Sequence, residues 1–133
     1  MGQSFLIDTN VVIDFSHGIF SQKSKNFVAN ILNKEPIISA ITQIELLGFS
    51  VVPPQIESFV RYTSIIGIND SVIEKTIAIR KHCRIKLPDA IIAATALTNN
   101  LTLLTRNIAD FRNIENLNVV NPHVSRHCGT VQR

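Results

Sequence analysis

The amino-acid sequence predicts an α/β sandwich, in which helices cover both faces of a parallel sheet. Short apolar runs with strand character alternate with longer segments of helical spacing along most of the chain. This alternation is typical of βαβ units, which build parallel sheets. The short runs are almost entirely apolar, as expected for strands that are buried on both faces. With 133 residues, 45% of them hydrophobic, the chain is long enough for one domain with a sizeable core.

Five strands and six helices are predicted in alternating groups. The predicted strands span residues 5–7, 36–40, 64–68, 101–105 and 117–121. The predicted helices have apolar residues at intervals of three and four, and they span residues 10–17, 21–34, 42–49, 54–62, 70–83 and 88–99. Pro53 and Pro54 separate the third helix from the fourth, because proline cannot continue a helix. Apolar periodicity stops after residue 122, so we predict a domain over 1–122 and a disordered tail over 123–133.

Composition limits the classes of protein to which the chain can belong. The net charge of +3 and a pI near 9.1 permit a nucleic-acid partner without requiring one. No apolar run approaches the roughly 18 residues that span a bilayer, and the first ten residues lack the pattern of a signal peptide. Cys83 and Cys128 form no CxxC pair, and His123 and His127 fit no zinc spacing. We therefore expect a cytoplasmic protein without a membrane partner, a disulfide framework or a zinc site.

Three acidic residues stand where strands end or helices begin. Asp8 directly follows the first strand, Glu45 comes soon after the second, and Asp89 opens the sixth helix. Ligands of parallel sheets bind beyond the carboxyl ends of the strands, so these positions suit a site. Each residue also has a purely structural interpretation. Asp8 suits a helix N-cap, and Thr42 with Glu45 has the spacing of a capping box. Asp89 in a first helical turn would complement the helix dipole.

A fourth group of polar residues follows the fourth strand, in the segment "TRNIADF" at 105–111. Asn107 and Asp110 lie there, immediately after Thr105 at the strand end. Asp14, six residues beyond Asp8, is interpreted as a structural or solvated residue.

The convergence of these carboxylates at one edge of the sheet favours a functional interpretation over four separate structural ones. Carboxylates packed together repel one another and raise one another's pKa unless something neutralises them. A hard divalent cation does so, and Mg²⁺ or Mn²⁺ prefers oxygen ligands. Such a site can activate water and stabilise charge on a phosphodiester. The sequence therefore predicts that Asp89 uses the start of its helix to direct a charge at a metal ion.

At these residues the chain resembles the PIN-domain ribonucleases, in particular the VapC-type toxins of toxin–antitoxin pairs. The resemblance rests on "FLIDTNVVIDF", "ISAITQIELLGF", "KLPDAIIAATALTNNLTLLTRNIADF" and "LNVVNP", which occur in this order between residues 4 and 122. It implies a three-layer α/β/α sandwich with a five-stranded parallel sheet in the order 3-2-1-4-5. It also implies that Asp8, Glu45 and Asp89 bind the catalytic Mg²⁺ or Mn²⁺.

The fourth acidic position departs from the family's pattern. Many members carry an aspartate where this chain has Asn107. We expect Asp110 to be the fourth metal-binding carboxylate, with Asn107 contributing to the water shell of the metal. Thr105 is expected to orient water or phosphate. The loss of charge at position 107 would weaken a second metal site, so that one ion could suffice.

The resemblance further implies an RNA substrate, a homodimer and a cognate antitoxin that covers the acidic pocket. Phe49, Val51 and Val52 would form an exposed apolar patch beside that pocket, although core packing explains them equally well.

Basic residues precede Asp89 and are candidates for contacts with RNA phosphates. Arg80, Lys81 and Arg84 form this group, together with Lys86. A solvated helix end is an equally good explanation.

Other classes of protein also place acids at strand ends. A non-catalytic PIN-like module that binds RNA or protein is the main alternative, and Asn107 favours it. A receiver domain would need an adjacent acidic pair at the first strand. A haloacid-dehalogenase-type phosphatase would need D-x-D, where this chain has Asp8, Thr9 and Asn10.

Overall fold

The computed structural model describes residues 3–124 and contains a five-stranded sheet at the centre of the molecule. All neighbouring strands pair in parallel, in the order β3-β2-β1-β4-β5. The strands are β1 (Phe5–Ile7), β2 (Ile37–Ser39), β3 (Ser64–Ile66), β4 (Thr102–Leu104) and β5 (Val119–Val120). The predicted fold class and strand order are confirmed.

The six predicted helices are all present, and none of their ends differs from the predicted one by more than two residues. They are α1 (Thr9–Ser16), α2 (Gln22–Leu32), α3 (Ala40–Leu47), α4 (Pro54–Tyr62), α5 (Asp70–His82) and α6 (Leu87–Thr98). A short 3-10 helix over Ile108–Phe111, which the sequence did not predict, follows β4. Within residues 3–124, no helix is both long enough and apolar enough to cross a membrane.

Helices cover both faces of the sheet, and this explains why the strands are apolar throughout. Leu6 and Leu103 pack against α5 and α6 in one buried cluster. Ile7 and Leu104, the next residues along the same strands, pack into a second cluster with α1, α2, α3 and α4. Successive side chains of a strand point to opposite faces, so a sheet between two helical layers needs apolar residues at every position. The edge strand β3 is the exception, because Ser64 and Ile65 are exposed.

The strand order places β1 beside β4, and at this point the direction in which successive strands are added to the sheet reverses. The amide of Asp8 donates to the carbonyl of Leu104 at 2.9 Å, and the amide of Thr105 donates to the carbonyl of Val120 at 3.0 Å. The first residues beyond β1 and β4 are therefore tied into the sheet at its carboxyl edge. In open α/β sheets this switch in strand order forms a crevice in which ligands bind.

Asp14 lies in α1 and is buried, which contradicts its interpretation as a solvated residue. Arg106 donates to both of its carboxylate oxygens, and His123 lies 2.7 Å from one of them. The imidazole of His123 stacks on Phe20, with ring centroids 4.2 Å apart. Asp14 is thus a structural residue. His123, the first residue of the predicted tail, contacts the domain, whereas residues 125–133, including His127 and Cys128, lie outside the described part of the chain.

Candidate active site

Asp8 is the most enclosed of the predicted site residues, because only 6% of its surface is exposed. It is the N-cap of α1, and one carboxylate oxygen accepts from the amide of Thr9 at 2.8 Å. The other oxygen accepts from the hydroxyl of Thr105 at 2.8 Å and from the side-chain amide of Asn10 at 3.3 Å. The interpretation of Asp8 as a helix N-cap is confirmed, but only one of its two carboxylate oxygens accepts from a backbone amide of the helix.

The surroundings of Asp8 disfavour its charge. Burial raises the pKa of Asp8 from its ordinary value of 3.8 to about 6. The hydrogen bonds from Thr105 and from the Thr9 amide oppose this rise, while the charges of Asp89 and Glu45 add to it. At pH 7 Asp8 is therefore ionised in surroundings that favour the neutral acid, and a nearby cation would relieve that conflict.

Glu45 does not cap α3, so the capping-box interpretation is wrong. Ser39 is the N-cap, and its hydroxyl oxygen accepts from the amide of Thr42 at 3.1 Å. Helix α3 begins earlier than the box required, which places Glu45 in its second turn with an exposed side chain. The carboxylate of Glu45 accepts instead from the hydroxyl of Thr9, which also lies 3.1 Å from the hydroxyl of Thr42. Glu45 is thus oriented by the residue that follows Asp8.

Asp89 lies half-buried in the first turn of α6, as predicted, and its surroundings also oppose its charge. Burial raises the pKa of Asp89, and the charges of Asp110 and Glu45 raise it further. Lys86, the N-cap residue of the same helix, lowers it. The charges of Asp89 and Glu45 raise the pKa of Asp8, and the charges of Asp110 and Glu45 raise the pKa of Asp89. The four acids therefore lie within electrostatic reach of one another.

The segment after β4 carries the remaining predicted residues. Asp110 is exposed in the 3-10 helix, and Asn107 is exposed just before it. Thr105 is fully buried: its hydroxyl donates to Asp8 and accepts from the side-chain amide of Asn10 and the backbone amide of Asn107. This burial contradicts the predicted role of Thr105, which was to orient water or phosphate. Thr105 orients Asp8 instead.

Two residues of this site, Thr9 and Asn10, were missed by sequence reasoning. Asn10 donates to Asp8 and to Thr105, and its side-chain oxygen accepts from the amide of Arg106 at 3.1 Å. Thr9 contacts the carboxylate of Glu45. Both residues lie in the first helical turn behind Asp8, and this proximity in sequence is the signal that identifies them.

A groove lined by both acidic and basic residues opens beside the acids. One cavity of about 500 Å³ is lined by two acids, Asp89 and Asp110, and by two basic residues, Arg84 and Lys86, among others. A second cavity of about 440 Å³ shares Arg84 and continues past the end of α5, where it is lined by Arg80 and Lys81 among others. The residues predicted to bind RNA thus lie along a path that leads to the acids.

The acids suit a hydrated divalent cation better than one held by protein ligands alone. Among the described residues, no three side chains of the metal-binding types converge on a single point. Mg²⁺ in nucleotide-handling sites typically takes one or two carboxylates and fills its other positions with water and substrate phosphates. Burial is the main cause of the raised pKa of Asp8 and of Asp89, and neighbouring carboxylates add to the rise at both residues. A hard cation fits this donor set.

Comparison with known proteins agrees with the fold. The model of the PIN domain family matches residues 5–117. Ribonuclease VapC1 from Rickettsia felis is 30% identical, over 86% of this chain and 93% of that protein. A chain of a toxin–antitoxin complex from Klebsiella pneumoniae is 34% identical, with a TM-score of 0.69 over 90% of this chain and 98% of that one.

A further structure, VapBC2 from Rickettsia felis bound to a DNA fragment from its promoter, supports the fold alone. It is 23% identical and has a TM-score of 0.72 over 90% of this chain and 98% of that one. The match of the family model to most of the chain, the agreement of the strand order and the cluster of acids at the carboxyl edge lead to one assignment. The chain belongs to the PIN-domain family.

Proposed function

We propose that the protein is an endoribonuclease that depends on Mg²⁺ or Mn²⁺ and acts as the toxin of a toxin–antitoxin pair. The observation that carries the proposal is the set of four acids, Asp8, Glu45, Asp89 and Asp110, at the carboxyl edge of a PIN-domain sheet. The charges of Asp89 and Glu45 raise the pKa of Asp8, and those of Asp110 and Glu45 raise the pKa of Asp89. The ribonuclease relative and the toxin–antitoxin complex support the choice of RNA as substrate and of an antitoxin as partner.

One or two of the four acids would bind the cation directly and the others through its water molecules. When bound, the cation would lower the pKa of a water molecule and stabilise charge on the scissile phosphate. Three neutral groups fix the orientation of Asp8: the Thr9 amide, the Thr105 hydroxyl and the Asn10 side chain. The Thr9 hydroxyl does the same for Glu45.

Asp110 supplies the fourth carboxylate, because it raises the pKa of Asp89 and lines the same cavity. Asn107, exposed three residues earlier, carries no charge and would contribute to the water shell of the cation.

The basic residues along the groove would bind RNA phosphates on either side of the cleaved bond. Arg84 and Lys86 line the cavity that contains Asp89 and Asp110, and Arg80 and Lys81 line its continuation. Contacts of this kind position the strand but do not read its sequence.

An exposed apolar patch beside Glu45 would receive the antitoxin. Phe49 and Val51 are 41% and 82% exposed, and Ile44 and Leu47 of α3 extend the same surface. Val52 packs against the core and does not belong to this patch. Large apolar side chains grouped at a surface mark interaction sites. The resemblance to VapC-type toxins also supports a homodimer, which light scattering on the purified protein would test.

Cleavage of a structured RNA mixture by the purified protein tests the function directly. We expect cleavage with Mg²⁺ or Mn²⁺ and none with EDTA. Asp8→Asn and Asp89→Asn should each lower the rate at least roughly 100-fold, because the cation contributes several kcal/mol to charge stabilisation. Glu35→Gln is the matched control, since Glu35 precedes β2 at the opposite edge of the sheet.

A folded protein free of antitoxin that cleaves no RNA under any of these conditions would refute the nuclease assignment. It would favour the alternative of a non-catalytic PIN-like module that binds RNA or protein. In that case RNA or partner binding would persist in EDTA and in Asp89→Asn.

A further inference from the structure

The buried carboxylate of Asp14 belongs to a cluster that the proposed reaction does not use. The side chain of Asp14 is 4% exposed, and both of its oxygens accept from one guanidinium nitrogen of Arg106, at 2.6 and 2.8 Å. His123 lies 2.7 Å from the second oxygen and shields the pair on one side, with its ring stacked on Phe20. The cluster joins α1, the segment after β4 and the end of the described chain.

We propose that Asp14 is a positioning residue, which acts through Arg106 to hold the loop that carries Asn107 and Asp110 against α1. The proposal rests on the proposed function, because it assigns a role in that site. Asp14 itself touches neither the metal-binding acids nor the groove.

Arg106 is fixed to α1 at both its backbone and its side chain. Its amide donates to the side-chain oxygen of Asn10, and its guanidinium donates to Asp14 one helical turn further along. Asn10 also donates to Asp8. The same helix therefore holds Asp8 and the loop that follows Thr105, so that their relative positions depend on these two contacts.

Two further contacts hold the start of the loop: the amide of Asn107 donates to the Thr105 hydroxyl at 3.1 Å, and Ile108 packs against the core. Asn107 and Asp110 are exposed, and the amide of Asp110 donates only as far as the carbonyl of Asn107, at 3.1 Å. Phe111 and Ile114 anchor the far end of the loop in the core. The ion pair with Asp14 anchors the near end. Because small displacements of a catalytic group lower rates strongly, about 100-fold for a shift of roughly 1 Å, a loosened loop should lower the turnover number.

Steady-state RNA cleavage by Asp14→Asn, Arg106→Gln and the double variant tests the proposal. We expect the kcat of Asp14→Asn to fall about tenfold with a KM within about twofold of the wild type, because no group that contacts RNA is removed. The double variant should lose no more than the worse single variant, because both substitutions break the same contact. Val28→Ala, a core change in α2, controls for loss of stability alone and should leave kcat unchanged.

Amide hydrogen exchange, followed by NMR in the absence of RNA, gives a readout that does not require activity. In Asp14→Asn the amides of Asn107 and Asp110 should exchange about tenfold faster, while those of β1 and β4 keep their wild-type rates. Unchanged exchange at both amides, or a fall in kcat no larger than that of Val28→Ala, overturns the proposal. If the wild-type protein cleaves no RNA, the proposed function fails, and the exchange rates alone decide whether Asp14 holds the loop.

Discussion

Replacement of Asp8 by asparagine should stabilise the metal-free protein at pH 7, although it removes a group that we place in the active site. Asp8 is 6% exposed, and burial raises its pKa from 3.8 to about 6. Each pKa unit corresponds to about 1.4 kcal/mol, so the ionised carboxylate lowers the free energy of unfolding by about 3 kcal/mol at pH 7. Asparagine has nearly the same shape, carries no charge and can still accept from the amide of Thr9.

The difference in stability between the wild type and Asp8→Asn must grow as the pH rises. Because the pKa of Asp8 is higher in the folded than in the unfolded chain, the folded state binds the extra proton between pH 3.8 and about 6. The stability that this proton provides is fully present below the lower value and is lost as the pH rises through the upper one. The wild type and Asp8→Asn should therefore be nearly equally stable at pH 3.8 or below. They should differ by about 3 kcal/mol at pH 7, in favour of the variant.

Urea denaturation in EDTA, followed by circular dichroism at several pH values, measures this difference. Asp14→Asn is the matched control, since Asp14 is equally buried but paired with Arg106. Loss of that pairing should destabilise the protein by about 1–3 kcal/mol at pH 7. If Asp8→Asn is instead less stable than the wild type at pH 7 in EDTA, then the hydrogen bonds to Asp8 outweigh its burial. That result would refute the conclusion that the surroundings of Asp8 oppose its charge.

Two further predictions concern the proposed reaction. The cleavage rate at low metal concentration should fall as the pH drops below about 6, because Asp8 becomes protonated and no longer attracts the cation; a rate that stays constant from pH 7 to pH 5 would contradict this. Arg80→Ala and Arg84→Ala, each introduced into the inactive Asp89→Asn protein, should weaken RNA binding and lower the salt dependence of the affinity by a slope of about 0.7 per lost contact. Lys34→Ala, at the opposite edge of the sheet, is the control, and an unchanged salt slope in the arginine variants would dismiss the phosphate contacts.

The fold could be predicted because its physical cause is local in the sequence. A strand between two helical layers needs consecutive apolar residues, as at Leu103 and Leu104, and the first three such runs are each followed by segments of helical spacing. The strand order came from the resemblance to a family, and the structure confirms it. The exposed edge strand β3 shows the limit of the pattern, since Ile65 is apolar in the sequence but lies at the surface.

The positions of the acids could be predicted from the ends of the strands in the sequence, but the residues that form hydrogen bonds and ion pairs with the buried aspartates could not. The contacts that orient them join residues far apart in the chain, such as Thr105 with Asp8 and Arg106 with Asp14, and no spacing rule identifies these pairs. The wrong capping box has a local cause. The segment from 39 to 45 offers both Ser39 and Thr42 as caps three residues apart, and the structure uses the first.

The two buried aspartates joined by α1 show how one helix serves two purposes. Asp14 receives a positively charged partner, Arg106, and its charge is balanced within the fold. The hydrogen bonds that Asp8 receives, from Thr9, Asn10 and Thr105, all come from neutral donors, which orient a carboxylate without balancing its charge. A carboxylate that is oriented but not neutralised binds a cation strongly, and the energy lost in folding is regained when the cation binds. The cost of burying Asp8 and the affinity for metal that we propose for the site would thus have the same physical origin.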